Sequence, residues 1–345
     1  MSPPHQAAPR TDAELDELLS RPTPDDAAAA ALGGDLLILG AGGKMGPSLA
    51  RLARRAYDEA GVRRRVIAVS RFRTPGLARA LTAHGVETIA CDLLDAHELA
   101  SLPDTPNVVL MAGQKFGAAA DPALTWAVNT FLPAAVIRRF PAARIVVFST
   151  GNVYPLVPVT GAGATEDDAV GPIGEYAQSA LARERLVTFF GTRQRTPVTL
   201  LRLNYAVELR YGVLRDLADH VMRRQPIDVT MGWVNVIWQR DANAVALRAL
   251  ARCAVPPLVL NVTGPERLSV RDLATRLGER LGVSPVFAGR EAETALLSDA
   301  ARCHALFGPP AVRAATVLEW VAEWVGRGGR SLAKPTHFEE RGGRF

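Results

Sequence analysis

Through the body of the chain, short strand-like runs rich in apolar residues, the first of them unbroken, alternate with longer stretches whose apolar residues recur every three or four positions. The runs are Leu36 to Leu39, Arg65 to Ser70, Val86 to Asp92, Asn107 to Ala112, Ala143 to Ser149 and Thr196 to Leu203. A run without polar alternation suits a parallel strand covered on both faces. Leu49, Leu52, Ala53 and Ala56 keep helical spacing after the first run, and segments 77–81, 124–140 and 173–190 do so between later ones. Strand and helix in regular alternation predict an α/β fold, a doubly wound parallel sheet with right-handed crossovers.

After residue 204 the alternation fades. Residues 214–224 pattern as a helix, 234–238 as a strand, 241–253 as a helix and 258–262 as a strand, while 269–281 read as a helix opened by the capping box Ser269-Val-Arg-Asp272. Val317, Leu318, Val321 and Val325 share one side of a helix over 315–326. The first 34 residues hold one short acidic helix, Asp12 to Leu19, and then a Pro- and Ala-rich linker; the last 20 are rich in Arg and Gly. Both ends are expected at the surface or at a subunit contact. This divides the chain into an extension (1–34), a sheet domain (35–204 plus 234–263), a smaller C-terminal α/β substrate-binding portion (205–233 plus 264–326) and a tail (327–345).

The first strand leads into Gly40-Ala-Gly-Gly-Lys-Met-Gly46 and a helix that tolerates Pro47 in its first turn. Strand, glycine turn and helix together form the arrangement that cradles a dinucleotide pyrophosphate: glycines permit close approach, and free N–H groups at the helix start attract phosphate. Gly40, Gly43 and Gly46 give GxxGxxG, and Gly40 with Gly42 also begins GxG. The backbone at Lys44 and Met45 lies inside this turn. A nicotinamide dinucleotide is therefore the first hypothesis for a cofactor.

Composition narrows the alternatives. At 345 residues, 48% hydrophobic and 22% charged, the chain suits an ordered protein with a large core. No apolar stretch is long enough to span a bilayer, and the acidic N-terminal segment does not resemble a secretory signal, so a cytoplasmic location without membrane contact is expected. Cys91, Cys253 and Cys303 lie far apart, indicating neither a disulfide framework nor a metal site. The net charge of +5 comes from arginines scattered among acids, without the dense basic tract of a nucleic-acid partner. Of 40 basic residues only Lys44, Lys115 and Lys334 are lysine. In so arginine-rich a chain, a lysine suggests a need for a compact ammonium whose pKa can shift.

Taken in order, the motifs resemble the extended short-chain dehydrogenase/reductase family of NAD-dependent epimerases and dehydratases, over roughly residues 35–325. Gly40, Gly43 and Gly46 match its glycine turn, Cys91-Asp92-Leu93 its adenine-side acid, Met111-Ala112-Gly113 the loop beside the nicotinamide ribose, and Asn129 its helix asparagine. Phe148-Ser-Thr-Gly-Asn-Val-Tyr-Pro155 resembles the active-site strand end, with Thr150 at the Ser/Thr position and Tyr176 at the catalytic tyrosine. Arg202-Leu-Asn204, Gln239-Arg-Asp241 and Asn261-Val-Thr-Gly264 match later landmarks. The resemblance implies a Rossmann fold, hydride transfer on a carbohydrate-like alcohol or ketone, free or nucleotide-linked, and subunit pairing through helices into a homodimer.

One departure bears on the chemistry. The family places a lysine four residues after the tyrosine, and here Tyr176-Ala-Gln-Ser-Ala180 puts alanine there. Alanine cannot supply the cation that makes a tyrosinate accessible near neutral pH. Three readings stay open: Lys115 reaches the cofactor ribose or Tyr176 from another direction; Tyr176 acts as a neutral donor; or the domain is a noncatalytic dinucleotide-binding regulator. Ser70-Arg71-Phe72-Arg73 follows the second strand with hydroxyl and guanidinium groups where NAD sites present a carboxylate, which favours NADP over NAD. Candidate substrate contacts are Gln114, Asn152, Asn204 and Arg240, with Trp233 and Trp238 as stacking surfaces.

Overall fold

The computed structural model describes residues 7–344; the first six residues of the extension and the last residue of the tail lie outside them. Its centre is a seven-stranded parallel sheet of β1 (Leu36–Leu39), β2 (Val66–Ser70), β3 (Glu87–Ala90), β4 (Asn107–Leu110), β5 (Arg144–Thr150), β6 (Val198–Leu203) and β7 (Leu258–Val262). The spatial order is 7-6-5-4-1-2-3, so the chain reverses direction across the sheet between β1 and β4. Ligands of open α/β sheets bind outside the strand carboxyl ends at such a reversal. All four residues of β1 are fully buried, as an uninterrupted apolar run requires.

Among the described residues, thirteen helices surround the sheet and build a second lobe. Helices α1 (Asp12–Leu19), α2 (Pro24–Ala30), α3 (Gly46–Glu59), α4 (Leu77–Ala83), α5 (Ala96–Ser101), α6 (Pro122–Trp126), α7 (Leu132–Arg139) and α8 (Gly174–Gln194) precede β6. Helices α9 (Val213–Met222), α10 (Gln239–Ala249), α11 (Val270–Leu281), α12 (Ala301–Phe307) and α13 (Ala314–Gly326) follow it. One apolar core lies between the sheet, α3 and α10, another between the sheet, α7 and α8. A third joins α9, α11 and α13 to Leu15, Leu18 and Leu19 of α1. Among the described residues no helix is long and apolar enough to cross a membrane, and the three thiols are free.

Four expectations need correction. The linker after Leu19 is helix α2, whose fully buried Asp26 binds Arg248 and Arg240, so the N-terminal segment is part of the folded body. The tail does not simply coat the surface: Thr336 and Phe338 are buried, and Arg341 donates to the Thr294 carbonyl and hydroxyl. The strand expected over 234–238 is two short pieces. Trp233–Val234 pairs antiparallel with Leu268–Ser269, while Ile237–Trp238 pairs parallel with Ala206–Val207; between them Asn235 turns to bond Glu266 and Ser298. Finally, the helix over 124–140 is broken by a wide turn at Ala127–Phe131. Pro133 lacks the N–H that would close a regular turn onto the Asn129 carbonyl.

Candidate active site

The glycine turn is held tightly. Gly40 and Ala41 both donate to the Val69 carbonyl, and Gly40 takes a φ of +90° with its α-carbon so close to β4 that a side chain would meet the Ala112 nitrogen at 2.5 Å. At Gly46 a side chain would meet the Ala41 carbonyl oxygen at 2.3 Å. Helix α10 secures the start of α3 from behind: Gln239 and Asn243 donate to the Ser48 hydroxyl, and Asn243 also reaches the Met45 carbonyl. The result is a rigid turn feeding a 14-residue helix whose N-terminal dipole end suits phosphate. The cradle fits a dinucleotide on geometry alone.

At the rim, Gly42 lies against Ser70, whose hydroxyl accepts from the Phe72 amide. Arg71 pairs with Asp92 at 3.6 Å, both half exposed, and Arg73 is exposed nearby in sequence. Asp92 also accepts from the Leu94 amide, whereas the Leu93 side chain is buried in the core beneath. Met111 continues β4 by donating to Leu39, and Ala112 underlies Gly40. Asn129 is buried and brackets Gln114, accepting from its amide and donating to its carbonyl, both at 2.8 Å. That bond pair fixes the backbone of Gly113 and Gln114 beside the cleft.

A cleft of about 140 Å³ opens where the turn meets the end of β5. Lys44, Met45, Lys115, Thr150, Asn152, Tyr176 and Asn204 line it, together with Tyr205, Tyr211 and Thr336. Thr150 Oγ1 accepts from both the amide and the side-chain nitrogen of Asn152. Behind it, Ser149 donates to Glu184, which is clamped by Arg202 in a buried pair. Tyr176 sits in the first turns of α8. Lys115 Nζ lies 5.9 Å from its ring centre and 6.0 Å from that of Tyr205, and donates to the Thr336 carbonyl at 3.2 Å.

Burial pushes the Lys115 ammonium down to about 8. Lys44 lies 2.9 Å from the Tyr211 ring centre, and burial, helped by the charges of Lys115 and Lys334, pushes it down to about 7. All three lysines of the chain thus influence one cleft. Burial raises the Tyr205 and Tyr211 phenols, and it raises Asp216, which holds the tail by accepting from the Thr336 amide and hydroxyl.

Several expected residues lie elsewhere. Arg240 does not reach the cleft; it is buried between Asp26, Asp241 and the Arg21 carbonyl. Trp238 is fully enclosed and edge-on to Trp320, with no open face for a ligand. Trp233 stacks under the Arg267 guanidinium, 5.0 Å away. Tyr205, Tyr211 and Thr336 are liners that the sequence does not announce, because the segments carrying them have no periodic pattern. Arg183 is another. Its signal is indirect: Pro133, four residues after Asn129, frees the carbonyl that Arg183 Nε takes at 2.9 Å.

The model for the NAD-dependent epimerase/dehydratase family matches residues 36–211. Solved structures share the fold at low identity. A tyrosine-to-phenylalanine variant of UDP-glucuronic acid 4-epimerase from Bacillus cereus, in complex with a fluorinated UDP-glucuronic acid and NAD, has a TM-score of 0.71 and 17% identity, covering 84% of this chain and 98% of that one. UDP-glucose 4-epimerase from Thermotoga maritima, with UDP-glucose, has a TM-score of 0.69 and 17% identity, covering 85% and 99%. No curated protein matches the chain in sequence. With just over half its length matched by that model, the chain belongs to the NAD-dependent epimerase/dehydratase family of enzymes, within the extended short-chain dehydrogenase/reductases.

Proposed function

We propose that this protein binds a nicotinamide dinucleotide along the carboxyl ends of β1, β2 and β4 and catalyses oxidoreduction or epimerisation at a hydroxyl-bearing carbon of a sugar-like substrate, in the first instance a nucleotide-linked one. The observation that carries this reading is a single cleft in which Thr150, Tyr176 and Lys115 meet the glycine-turn residues Lys44 and Met45. Residues 35–204 with 234–263 hold the dinucleotide, and 205–233 with 264–326 face the substrate. Gly40, Gly42, Gly43 and Gly46 supply the turn, and Ser70, Arg71, Arg73, Asp92 and the 111–113 loop flank the ribose and adenine.

When bound, the nicotinamide supplies the hydride donor or acceptor. Tyr176 exchanges a proton with the substrate hydroxyl. Thr150, whose oxygen already accepts two bonds from Asn152, has its own hydrogen to donate to the same oxygen. Lys115, 5.9 Å from the Tyr176 ring centre, is the cation we assign to steady negative charge there. Gln114, Asn152 and Asn204 are the polar groups we assign to substrate hydroxyls.

Ser70-Arg71-Phe72-Arg73 offers no carboxylate to a ribose diol and favours NADP, whereas the similar solved structures named above include one holding NAD. Paired fluorescence titrations with NADPH and NADH measure the preference. Helices α6 and α8 and the turn between α6 and α7 expose Leu124, Trp126, Phe189 and Phe131, an apolar face suited to pairing with a second copy. Free thiols suit a reducing cytoplasm.

The competing reading, a noncatalytic dinucleotide-binding regulator, is favoured by one observation. The tail lies against the cleft, and the space left, about 140 Å³, is below the roughly 300–1,000 Å³ of ordinary ligand pockets. Incubation with each dinucleotide and a panel of nucleotide sugars, read by chromatography and absorbance, separates the two. Conversion of a sugar supports the enzyme; dinucleotide binding without conversion of any sugar supports the regulator; failure to bind either dinucleotide overturns both.

A further inference from the structure

Helix α8 carries a buried positive charge directly behind this cleft. Arg183 is 6% exposed, and its bonds go to neutral oxygens: Nε donates to the Asn129 carbonyl at 2.9 Å, one terminal nitrogen to the Asn129 side-chain oxygen at 2.8 Å and the other to the Phe148 carbonyl. The adjacent carboxylate, Glu184, acts on Arg183 only at a distance, its hydrogen bonds going to Ser149 and Arg202. A buried guanidinium hydrogen-bonded to neutral oxygens alone is costly and calls for a compensating role.

Its position supplies one. A side chain built on Gly113 would sit 3.3 Å from an Arg183 terminal nitrogen, so the cation lies immediately behind the 111–113 loop. Tyr176 is seven residues earlier on the same helix, which places it two turns away on the same face. The side chain of Asn129, fixed by Arg183, donates to Ser179 Oγ, and Ser179 Oγ donates to the Tyr176 carbonyl. One guanidinium therefore organises the loop, the helix asparagine and the start of the tyrosine helix.

We propose that Arg183 is a positioning residue that adds a fixed positive charge behind the cleft wall. It clamps Asn129 and the Gly113 wall, and it offsets the negative charge left on Tyr176 when that side chain gives up its proton. This role rests on the function proposed above. Electrostatic coupling between Arg183 and Tyr176 accords with it. Among the described residues, the other titratable groups around this part of the cleft include Lys44 from the glycine turn, Lys115 from the loop after β4, Tyr205 and Tyr211 from the segment after β6, Glu175 on α8 itself, Asp216 on α9, and Glu339 on the tail, which acts on Lys115 and Tyr205.

The test compares Arg183→Gln, Arg183→Lys and Lys115→Met with the parent, following tyrosinate absorbance against pH. The contribution of Tyr176 is isolated by subtracting the Tyr176→Phe form of each. In Arg183→Gln the Tyr176 signal moves to higher pH by about half a unit, as expected for loss of an opposite charge two helical turns, roughly 10 Å, away. Arg183→Lys keeps it near the parent position, and the acid limb of any turnover profile moves with the titration. An unmoved Tyr176 signal in folded Arg183→Gln, or a displacement seen only in Lys115→Met, overturns the proposal. If Arg183→Gln does not fold, Arg183→Lys decides: a parent-like titration supports the charge role, and a displaced one refutes it. The titration needs neither cofactor nor substrate, so even a protein inert toward both reveals whether Arg183 acts on Tyr176. An active enzyme with an unmoved titration sinks this inference alone.

Discussion

The two walls of the cleft are built by different physics. The sheet wall rests on strands such as β1 and on Val108, Val109, Ile145 and Val146, all fully buried, so the positions of Gly40 and Thr150 follow from apolar packing and parallel register. The facing wall adds charge to its apolar core. Arg210 ties the segment after β6 to Asp12 and Asp16 of α1, and Asp216 holds the tail at Thr336. An apolar wall is insensitive to pH and tolerant of small surface changes. A wall of buried ion pairs is stable only while every partner is present.

The strongest way to sharpen that contrast is to remove chemistry from one wall without touching its packing. Tyr176→Phe deletes a single oxygen from the first turns of α8. Turnover of a substrate found by the nucleotide-sugar panel should fall by about a thousandfold or more, in line with the loss of a general acid-base group. Dinucleotide affinity, measured by fluorescence, should stay within about threefold, because the glycine turn is anchored separately by β2 and α10. Unchanged turnover would remove Tyr176 from the mechanism.

Breaking the buried ion pairs that fasten the N-terminal helices should instead show as lost stability. Asp26→Ala leaves Arg240 and Arg248 facing a site where neither has its best partner, Arg240 being buried and Asp26 fully so. Loss of one member of such a pair costs about 3–5 kcal/mol, read by denaturant unfolding. Leu19→Ala on α1 tests the same attachment through packing alone and should cost about 2–4 kcal/mol. If Asp26→Ala is silent while Leu19→Ala is not, the N-terminal helices are held by their apolar faces and the contrast drawn above fails.

The tail comes next. A chain ending at Arg330 loses the burial of Phe338 and the bonds from Thr336 to Asp216. Burial of one phenylalanine alone is worth about 1.5–3 kcal/mol, so the melting temperature should drop by several degrees. Lys115 loses its Thr336 acceptor in the same step. A tail that leaves the melting temperature unchanged on removal is not part of the folded wall.

These two walls differ in how far the sequence reveals them. The strands of the sheet are apolar runs, and Leu36–Leu39 is read to the residue. The glycine turn is found by its spacing, Thr150 and Tyr176 only by resemblance to the family, and the structure brings all three to one cleft. Nothing local marks Arg240 as the partner of Asp26, 214 positions away, so a buried structural arginine reads in the sequence as a substrate contact. The same holds for Thr336 beside Lys115, separated by 221 positions. Polar pairs across such distances carry no period, and the wide turn at Asn129 is visible only to a reader who asks which carbonyl Pro133 leaves without a donor.

The smallest expected effect concerns Lys44, where the two walls meet. In the unfolded chain its ammonium keeps its proton up to the ordinary value near 10.5, whereas burial beside Tyr211, Lys115 and Lys334 lets the folded protein release it near 7. Between these values the unfolded state binds more protons, so stability rises with pH across that window. Below about 7 both states are protonated and the full cost of burying the charge is present. Lys44→Met removes the cost. It should therefore be more stable than the parent at pH 7, by on the order of 1–2 kcal/mol, with the gap closing as the pH approaches 10. Paired denaturant midpoints at pH 7, 8.5 and 10 check the sign. A gap that stays constant would mean that Lys44 keeps its proton throughout, held by a carboxylate such as Asp216 or Glu208, and the charged wall would then reach across the cleft to the glycine turn itself.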